Sequence, residues 1–388
     1  MREYKNILTG VQHYGMGKYR SIKYRIYPTA EQKVLIAKTF GCSRFVYNQM
    51  LDLSKEAYSN GEHLTSRIAF NYRLTDLKKE FPWLYEVDNS ALRSANDALA
   101  NAFSNFFSKR AGFPKYHKKK LGGSYTSKTN GHNNIALEDK QIKIPKLGRV
   151  KAKLHRMPEN NWKIKSATIS QVTDGRYYAS VMFEIPQEEI DYKPDLTNAI
   201  GLDYASDGLY VDDKGNVGSN HKFYRESQKK LAKAQHNLSR KIKQSNNYIK
   251  QQRKVGKIHR HIANQRLDNL HKLSTEIANQ YDVVCVESLN MRSMSNKGFG
   301  NGKATMDNGY GMFLTLLEYK LADRGKLLVK VDKWFPSSQI CHRCGAVHRE
   351  MKDLTIRTMR CDCGLTIGRD QNAAINIRNE GLRILKSA

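Results

Sequence analysis

The sequence lacks the features of membrane, secreted and nucleotide-driven proteins. No apolar run approaches the length of a transmembrane helix, and no apolar core of a signal peptide follows Met1–Lys5. The chain also contains no P-loop and no convincing Ser-His-Asp constellation, so hydrolysis driven by ATP is not indicated. These absences predict a cytosolic or nucleoid-associated protein.

Acidic residues are scarce relative to basic ones. The 388-residue chain contains 37 Asp and Glu against 66 Lys and Arg, a formal net charge of +29. Such an excess repels itself in a compact fold unless a polyanion neutralises it, which favours a nucleic-acid partner. A ribosome-associated or anionic-membrane protein is the alternative. The length is sufficient for two or three domains.

Cysteine is sparse, but four of the six cysteines are clustered. Cys42 and Cys285 stand alone in apolar surroundings and are predicted to be buried thiols. In a reducing compartment, two thiolate pairs on two turns favour a tetrahedral zinc site over disulfides. Because the second pair is unusually tight, His342 or His348 is an alternative ligand, and the lack of acidic ligands predicts a structural role. The two pairs, sixteen residues apart, are Cys341-x2-Cys344 and Cys361-x-Cys363.

Three carboxylates stand at the ends or starts of elements that the sequence predicts to be buried. A carboxylate at the edge of an apolar strand is costly to bury unless a positive charge neutralises it. If the three converge, two divalent ions ~4 Å apart would neutralise them, activate a water and stabilise the leaving oxygen of a phosphodiester. Hard oxygen ligands favour Mg²⁺. The residues are Asp203 after Ala199–Leu202, Glu287 after Val283–Val286, and Asp370 at the start of the helix-like run Asp370–Ile377.

Hydrophobic periodicity divides the chain into regions of different secondary structure. Residues 28–108 predict a small helical domain, with a capping box at Thr29 and a break in the first helix at Gly41. Residues 133–186 alternate as β-hairpins do, which predicts a small barrel or sheet. From residue 199 the pattern is α/β. The remaining predicted elements are a strand at Ser21–Tyr27, helices at Tyr72–Glu80, Asn89–Phe107 and Gly311–Arg324, and strands at Tyr281–Glu287 and Leu327–Val331.

Two basic segments stand out. The predicted helical stretch Ser227–Gln280, with a bend or the end of one helix at Gly256, lies in a region with fifteen Lys or Arg and two acids between residues 222 and 272. With few acidic partners four residues away, these helices are predicted to lie along a phosphate backbone rather than to present only a solvated face. Lys109–Lys120 interleaves basic residues with aromatic ones, which favours phosphate contacts with bases stacked on rings; a solvated loop is the alternative.

Six short motifs distributed along the chain carry a family resemblance. They are Tyr24–Thr29 followed by Glu31–Gln32, Cys42–Asn48, Gly201–Asp203, Val286–Asn290, Phe335–Gln339 before the cysteines, and Arg369–Ala374. With these motifs the sequence resembles the TnpB family, RNA-guided DNA endonucleases of bacterial insertion sequences that are related to the compact type V CRISPR effectors. The resemblance covers about Tyr19 to Leu385.

This resemblance implies an α/β RuvC-like nuclease of the RNase H fold with an inserted zinc ribbon, preceded by a small β-barrel-like wedge domain and a helical recognition domain. It implies that Asp203, Glu287 and Asp370 hold two catalytic Mg²⁺ ions and that the four clustered cysteines hold one structural Zn²⁺. The implied domains are the wedge at 1–27 and 121–195, the recognition domain at 28–120, and the nuclease at 196–388 with a basic helical insertion at 222–280 and a ribbon at 338–366.

The implied activity is Mg²⁺-dependent cleavage of double-stranded DNA in a bacterial or archaeal cytoplasm. An RNA from the transposon end would guide the cleavage to a site next to a short motif.

The sequence departs from the family pattern at two places. Gly368 stands where Asp is common, and the second cysteine pair is one residue short. The alternatives are a nuclease-inactive RNA-guided repressor, a transposase performing strand transfer, and a zinc-ribbon RNA-binding protein without catalysis. The presence of all three carboxylates argues against the repressor.

Overall fold

The structure is a computed structural model that describes residues 18–131, 133–186, 192–218, 221–294 and 302–387. Residues 1–17, the greater part of the predicted first wedge segment, lie outside these ranges. The chain forms two compact units. The N-terminal unit contains the described residues of 17–187 and 242–256, and the C-terminal unit contains those of 188–241 and 257–388. Within the described ranges, no helix combines the length and apolarity needed to cross a membrane.

The N-terminal unit contains a seven-stranded sheet in which every neighbouring pair is antiparallel. Alternate residues of its first strand, Ile22, Tyr24 and Ile26, are buried on one face, as period-two alternation predicts. The strand order is β2-β6-β7-β1-β5-β4-β3. The strands are β1 (Lys18–Tyr27), β2 (Gly123–Lys128), β3 (Ala136–Glu138), β4 (Gln141–Ile144), β5 (Gly148–Lys153), β6 (Lys163–Gln171) and β7 (Tyr177–Ile185).

Three helices of this unit share a second apolar core. They are α1 (Ala30–Ser59), α2 (Arg67–Glu80) and α3 (Asn89–Phe107). The predicted capping box is present, because Thr29 accepts from the Gln32 amide while the Gln32 side chain accepts from the Thr29 amide. The predicted break at Gly41 was wrong. The helix continues because Thr39 and Cys42 are buried on its inner face, and this packing outweighs the low helix propensity of glycine.

The basic loop after α3 is attached to the helices by its own rings. His117 stacks on Tyr47 with 3.8 Å between ring centroids. The Tyr116 hydroxyl accepts from Lys55 Nζ at 2.6 Å, and Phe113 packs edge-on against two phenylalanines of α3. These rings therefore stabilise the loop, a role that the interpretation of rings stacking on bases did not include.

The C-terminal unit is built on a four-stranded mixed sheet with the order β11-β10-β8-β9. Its strands are β8 (Ala199–Tyr204), β9 (Tyr210–Asp212), β10 (Val283–Glu287) and β11 (Leu327–Val331), and a separate ribbon pairs β12 (Thr358–Arg360) with β13 (Thr366–Gly368). Strand β10 runs parallel to both β8 and β11, whereas β9 is antiparallel to β8. Its helices are α4 (Phe223–Ser239), the C-terminal part of α5 (Asn246–Gln280), α6 (Met291–Met294), α7 (Gly302–Asn308), α8 (Tyr310–Ala322) and α9 (Arg369–Ser387).

The basic helical stretch is two helices, and their boundary differs from the prediction. Helix α4 ends before Arg240, and Ser245 begins α5 by accepting from the Tyr248 amide at 3.1 Å. The predicted alternative of a helix end at Gly256 was wrong, because Gly256 lies inside α5. A Cβ at that position would stand 2.7 Å from the Thr173 side chain, so the glycine permits a close approach between helix and turn within the N-terminal unit.

Candidate functional site

Two of the predicted acids lie at the same end of neighbouring parallel strands. Asp203 is the penultimate residue of β8 and Glu287 is the last residue of β10. The register pairs Leu202 with Val286, so each acid directly follows a paired and fully buried residue. Parallel strands present their carboxyl ends at one edge of the sheet, and such edges are the usual ligand sites of open α/β sheets.

Helix α9 brings the third acid to this edge. Asp370 is the second residue of α9, so it lies in the first turn. Gly201 of β8 permits the approach, because a Cβ there would lie 2.0 Å from the Ala374 carbonyl oxygen and 2.9 Å from the Arg378 amide nitrogen. Only a residue without a side chain allows this strand and this helix to lie so close together.

A second glycine, Gly381, permits a close contact between the same helix and strand β10. A Cβ at Gly381 of α9 would lie 2.3 Å from the Cys285 sulfur on β10. Cys285 is fully buried, as predicted, and burial raises the pKa of its thiol to about 12. Sequence reasoning quoted Gly201 within a motif but assigned it no role, and it missed Gly381. A single glycine in a strand or helix pattern is the available signal, but it does not name the partner.

Two of the three acids have raised pKa values. Burial, together with the nearby carboxylates of Glu287 and Asp370, raises the pKa of Asp203 well above its ordinary value. Burial also raises the pKa of Glu287 to about 7. Arg369 acts in the opposite direction on Asp203, and Arg357 Nη1 lies 3.9 Å from Asp370 Oδ2. Carboxylates that repel one another in a partly desolvated site fit a cation-binding role.

The three acids are neighbours without forming a closed cluster. Among the residues that the structure describes, the one group of three or more metal-binding side chains whose ligand atoms all lie within 4.8 Å is the cysteine group. The acids are therefore more widely spaced than ligands of one small ion. A pair of ions tolerates such spacing, because different carboxylates can bind different ions.

The loop that follows Asp203 is held by helix α7. Asn308 is buried and its side-chain amide lies within hydrogen-bond distance of the carbonyl oxygens of Ala205, Ser206 and Gly208, at 3.2, 3.0 and 3.4 Å. One buried amide thus lies close to three carbonyl oxygens of the loop and holds its backbone. Sequence reasoning missed Asn308, because an asparagine in a polar segment carries no signal of its carbonyl partners.

The four predicted cysteines come together. Cys341 Sγ lies 3.7 Å from Cys363 Sγ, and Cys344 Sγ lies 3.5 Å from Cys361 Sγ. A tetrahedral site with Zn–S bonds of ~2.3 Å needs sulfurs ~3.8 Å apart, so the arrangement fits that ion. The close group of metal-binding side chains contains neither histidine alternative. His342 Nδ1 lies 3.0 Å from Asn372 Oδ1, and His348 Nδ1 lies 3.0 Å from Glu350 Oε1.

Helix α9 connects the cysteine ribbon to the acids. Asn372 is fully buried; it accepts from the His342 amide at 3.1 Å and donates to the Ile340 carbonyl at 2.7 Å. Asn376, one turn later, donates to the carbonyls of Ser337 and Ile340 at 2.8 and 2.6 Å. The helix that carries Asp370 therefore also anchors the segment entering the first cysteine pair.

Three protein-family models match the chain. They are described as "Probable transposase" at residues 180–298, "Cas12f1-like, TNB domain" at 310–377, and "Helix-turn-helix domain" at 16–63. The second match contains the four cysteines and Asp370, and the first contains Asp203 and Glu287. Together the matched regions contain every predicted site residue.

The chain is also similar to curated proteins over most of its length. It is 35% identical to a Streptomyces pristinaespiralis protein named "Putative RNA-guided DNA endonuclease", over 94% of this chain and 89% of that protein. It is 29% identical to the Escherichia coli (strain K12) protein "Putative RNA-guided DNA endonuclease InsQ", over 95% of this chain and 94% of that protein.

A solved structure has the same fold. A chain in the cryo-EM structure of a Cas12f1–sgRNA–target DNA complex aligns with a TM-score of 0.60 at 13% identity, covering 94% of this chain and 99% of that chain. The mixed sheet and the four close cysteines thus define a protein of the Cas12f1 fold with a cysteine ribbon. The coverage and the sequence identity of the curated matches define the family more narrowly. The chain belongs to the TnpB family.

Proposed function

We propose that this protein is an RNA-guided DNA endonuclease of an insertion sequence that cleaves guide-matched DNA by Mg²⁺-dependent hydrolysis. The observation that carries the proposal is the convergence of Asp203, Glu287 and Asp370 on one edge of the C-terminal sheet, where burial and then the neighbouring carboxylates raise the pKa of Asp203. The names of its two relatives support the RNA-guided activity.

Strands position two of the acids, and a helix positions the third. Asp203 and Glu287 are fixed by neighbouring strands, so the distance between them changes little during a reaction. Asp370 sits on a helix whose position depends on Gly201 and on the ribbon contacts of Asn372. Two bound Mg²⁺ ions would supply an activated water and neutralise the leaving oxygen of the phosphodiester. The protein contributes carboxylates that are already positioned, which reduces reorganisation when the strand binds.

The four cysteines support one structural Zn²⁺. The sulfur spacing fits a tetrahedral thiolate site, and the ribbon strands β12 and β13 are each only three residues long. Such short strands have little core of their own, so metal ligation supplies much of their folding free energy. Through α9, an ordered ribbon also positions Asp370.

The basic charge supports a guide RNA and a double-stranded DNA target as partners. We assign the RNA–DNA path to the basic insertion at 222–280, and guide holding and reading of the adjacent motif to the wedge (1–27 and 121–195) and recognition (28–120) domains. The net charge of +29 is sufficient to bind many phosphates with little dependence on sequence. Specificity then comes from base pairing with the transposon-derived RNA in a bacterial or archaeal cytoplasm.

The test is cleavage of a guide-matched plasmid by protein purified with its co-expressed RNA. Asp203→Asn, Glu287→Gln and Asp370→Asn each remove one charge at nearly constant size, and we expect each to lower cleavage by at least 10²-fold while RNA and DNA binding persists. Glu318→Gln is the matched control, because Glu318 pairs with Lys330 at 3.0 Å outside the acid cluster.

Three outcomes would contradict the proposal. Cleavage by the Asp203→Asn protein would refute the assignment of the acids. Guide-dependent binding without any cleavage across a Mg²⁺ series would identify an RNA-guided repressor. Joining of DNA ends to a target instead of hydrolysis would identify a strand-transferring transposase.

A further inference from the structure

Asp213 is a fourth buried carboxylate of the C-terminal unit, and it lies outside the group of three acids. It directly follows β9, and its side chain is 1% exposed. Its Oδ2 accepts from Nη1 of Arg378 on α9 at 2.5 Å, while its Oδ1 has no hydrogen-bond partner among the residues that the structure describes. Because a buried charge without a counter-charge is strongly destabilising, this ion pair attaches the end of β9 to α9.

The register of the sheet explains why Asp213 meets α9. Strand β9 pairs with β8 so that Asp212 lies opposite Leu202. One residue further along this antiparallel pair, Asp213 is level with Gly201, where the backbone of α9 crosses β8. Residues opposite each other, and residues two apart in one strand, share a face of the sheet. Asp213 therefore lies on the face of Gly201 and Asp203, which is the face that α9 covers.

The turn that presents Asp213 is rigid. The preceding side chain, Asp212, accepts from the backbone amides of Lys214 and Asn216 at 3.0 and 2.7 Å. The side-chain amide of Asn216 donates to the other oxygen of Asp212 at 3.0 Å. One carboxylate thus closes the whole turn, so Asp213 is held at a fixed position beside the helix.

The same turn contacts α9 at a second place. A Cβ at Gly215 would lie 3.1 Å from Oε1 of Gln371, so the side chain next to Asp370 packs over the turn. Gln371 and Arg378 are separated by seven residues, or ~10 Å along the helix axis, and such positions share a helix face. Two contacts at this separation restrict both the rotation and the sliding of α9.

We propose that Asp213 is a positioning residue, which fixes α9 through Arg378 and thereby holds the Asp370 carboxylate where a divalent cation can bind it. This inference rests on the function proposed above. The crossing at Gly201 is a contact between two backbones, which has no directional bond to stop the helix from sliding. The charged hydrogen bond of Asp213 is directional and supplies that restraint. Asp213 itself is assigned no contact with the cation or the DNA.

The test compares two buried ion pairs of the same sheet. Asp213→Asn removes a charge at nearly constant size. Asp282→Asn is the matched control, because Asp282 pairs with Lys326 at 3.2 Å, its side chain is 7% exposed, and it precedes β10 whereas Glu287 ends that strand. Each protein is titrated with Mg²⁺ without nucleic acid while the melting temperature is measured, and then with guide and target while cleavage is measured.

Both substitutions should lower the melting temperature without Mg²⁺, because each leaves a cation without its counter-charge. Asp213→Asn should in addition raise both Mg²⁺ midpoints ~10-fold, and it should lower cleavage at saturating Mg²⁺ ~10²-fold through misplacement of Asp370. Asp282→Asn should leave the midpoints and the saturated cleavage rate unchanged. Wild-type midpoints in Asp213→Asn would show a purely structural role and would overturn the inference.

Arg378→Gln separates positioning from a direct effect of charge. If the pair positions α9, removing Arg378 should also raise both midpoints, and the double variant should be no worse than Asp213→Asn alone. If Asp213 instead attracted the cation by its own charge, removing the guanidinium would lower the midpoints, which would overturn the inference.

A variant that keeps the charge covers the case in which Asp213→Asn does not fold. Arg378→Lys then takes its place, because lysine keeps a positive charge beside Asp213 but not the guanidinium geometry. Raised midpoints in that variant support the inference, and wild-type midpoints overturn it.

The same titrations separate this inference from the proposed function. If Asp213→Asn has wild-type midpoints while Asp203→Asn loses both Mg²⁺ responses, the role of Asp213 is refuted and the nuclease assignment stands. If the wild type shows no Mg²⁺ response in melting and Asp203→Asn still cleaves, both are refuted.

Discussion

Replacing Glu287 by glutamine should stabilise the Mg²⁺-free protein in a way that depends on pH. Burial raises the pKa of Glu287 from 4.5 to about 7 in the folded protein. A pKa difference of one between folded and unfolded states corresponds to ~1.4 kcal/mol. The full difference would be ~3 kcal/mol; because the side chain is only partly buried, we expect about half, on the order of 1.5 kcal/mol.

The sign follows from which state binds the proton. Between pH 4.5 and about 7, folded Glu287 keeps a proton that the unfolded chain has lost, so its contribution to stability decreases as pH rises through this window. Above that window the ionised carboxylate destabilises the fold by the whole of the expected ~1.5 kcal/mol. Glutamine resembles the protonated acid, so Glu287→Gln should gain almost nothing near pH 4.5 and ~1.5 kcal/mol at pH 8.

The assay is urea unfolding followed by circular dichroism in Mg²⁺-free buffer at both pH values. Glu276→Gln is the control, because Glu276 is exposed and glutamine relieves no burial there. Adding Mg²⁺ at pH 8 should reverse the order, since only the wild type retains the full ligand set and gains stability from binding. An equal gain at both pH values, or a loss at pH 8, would refute the electrostatic account.

Two further predictions concern the support of the site. Gly201→Ala should destabilise the protein by ~3 kcal/mol or more and lower DNA cleavage by the molecules that still fold, because the added methyl overlaps the α9 backbone. Gly41→Ala is the control, because the space around its Cβ is open. Equal melting temperatures for the two variants would contradict the close approach of β8 and α9. Cys341→Ser should reduce the zinc content per chain from one to near zero and make the ribbon more susceptible to proteolysis. The control Cys42→Ser should keep the metal. A metal analysis that finds full zinc in the Cys341→Ser protein would require another ligand set.

The predictions made from local sequence patterns agree best with the structure. Helix α3 and strand β11 have the predicted boundaries, because each is a strongly periodic apolar segment with clear terminal signals. The boundary between α4 and α5 was misplaced, since glycine was taken as the helix breaker while Ser245 provides the cap. Gly256 is helical because tertiary packing decides its conformation, and no local rule contains the Thr173 contact.

The candidate site divides in the same way. The spacing of the four cysteines predicted a cluster, because two close pairs on tight turns have few other ways to satisfy their thiolates. The sequence placed Asp203 and Glu287 at strand ends, and their catalytic role remains a prediction. Asn308 carried no signal, since the role of a buried polar group depends on partners from distant segments.

The sequence alone determined what is local or additive: the basic charge, the cysteine pairs, the periodicity of the elements, and motifs specific enough to indicate the family. Only the tertiary structure decided which residues meet. It placed β10 beside β8, packed α9 against Gly201, and brought Asn308 to the carbonyls of the loop after β8. The physical reason is that charge and periodicity are properties of a segment, whereas burial, repulsion between carboxylates and close packing arise only between segments brought together by folding.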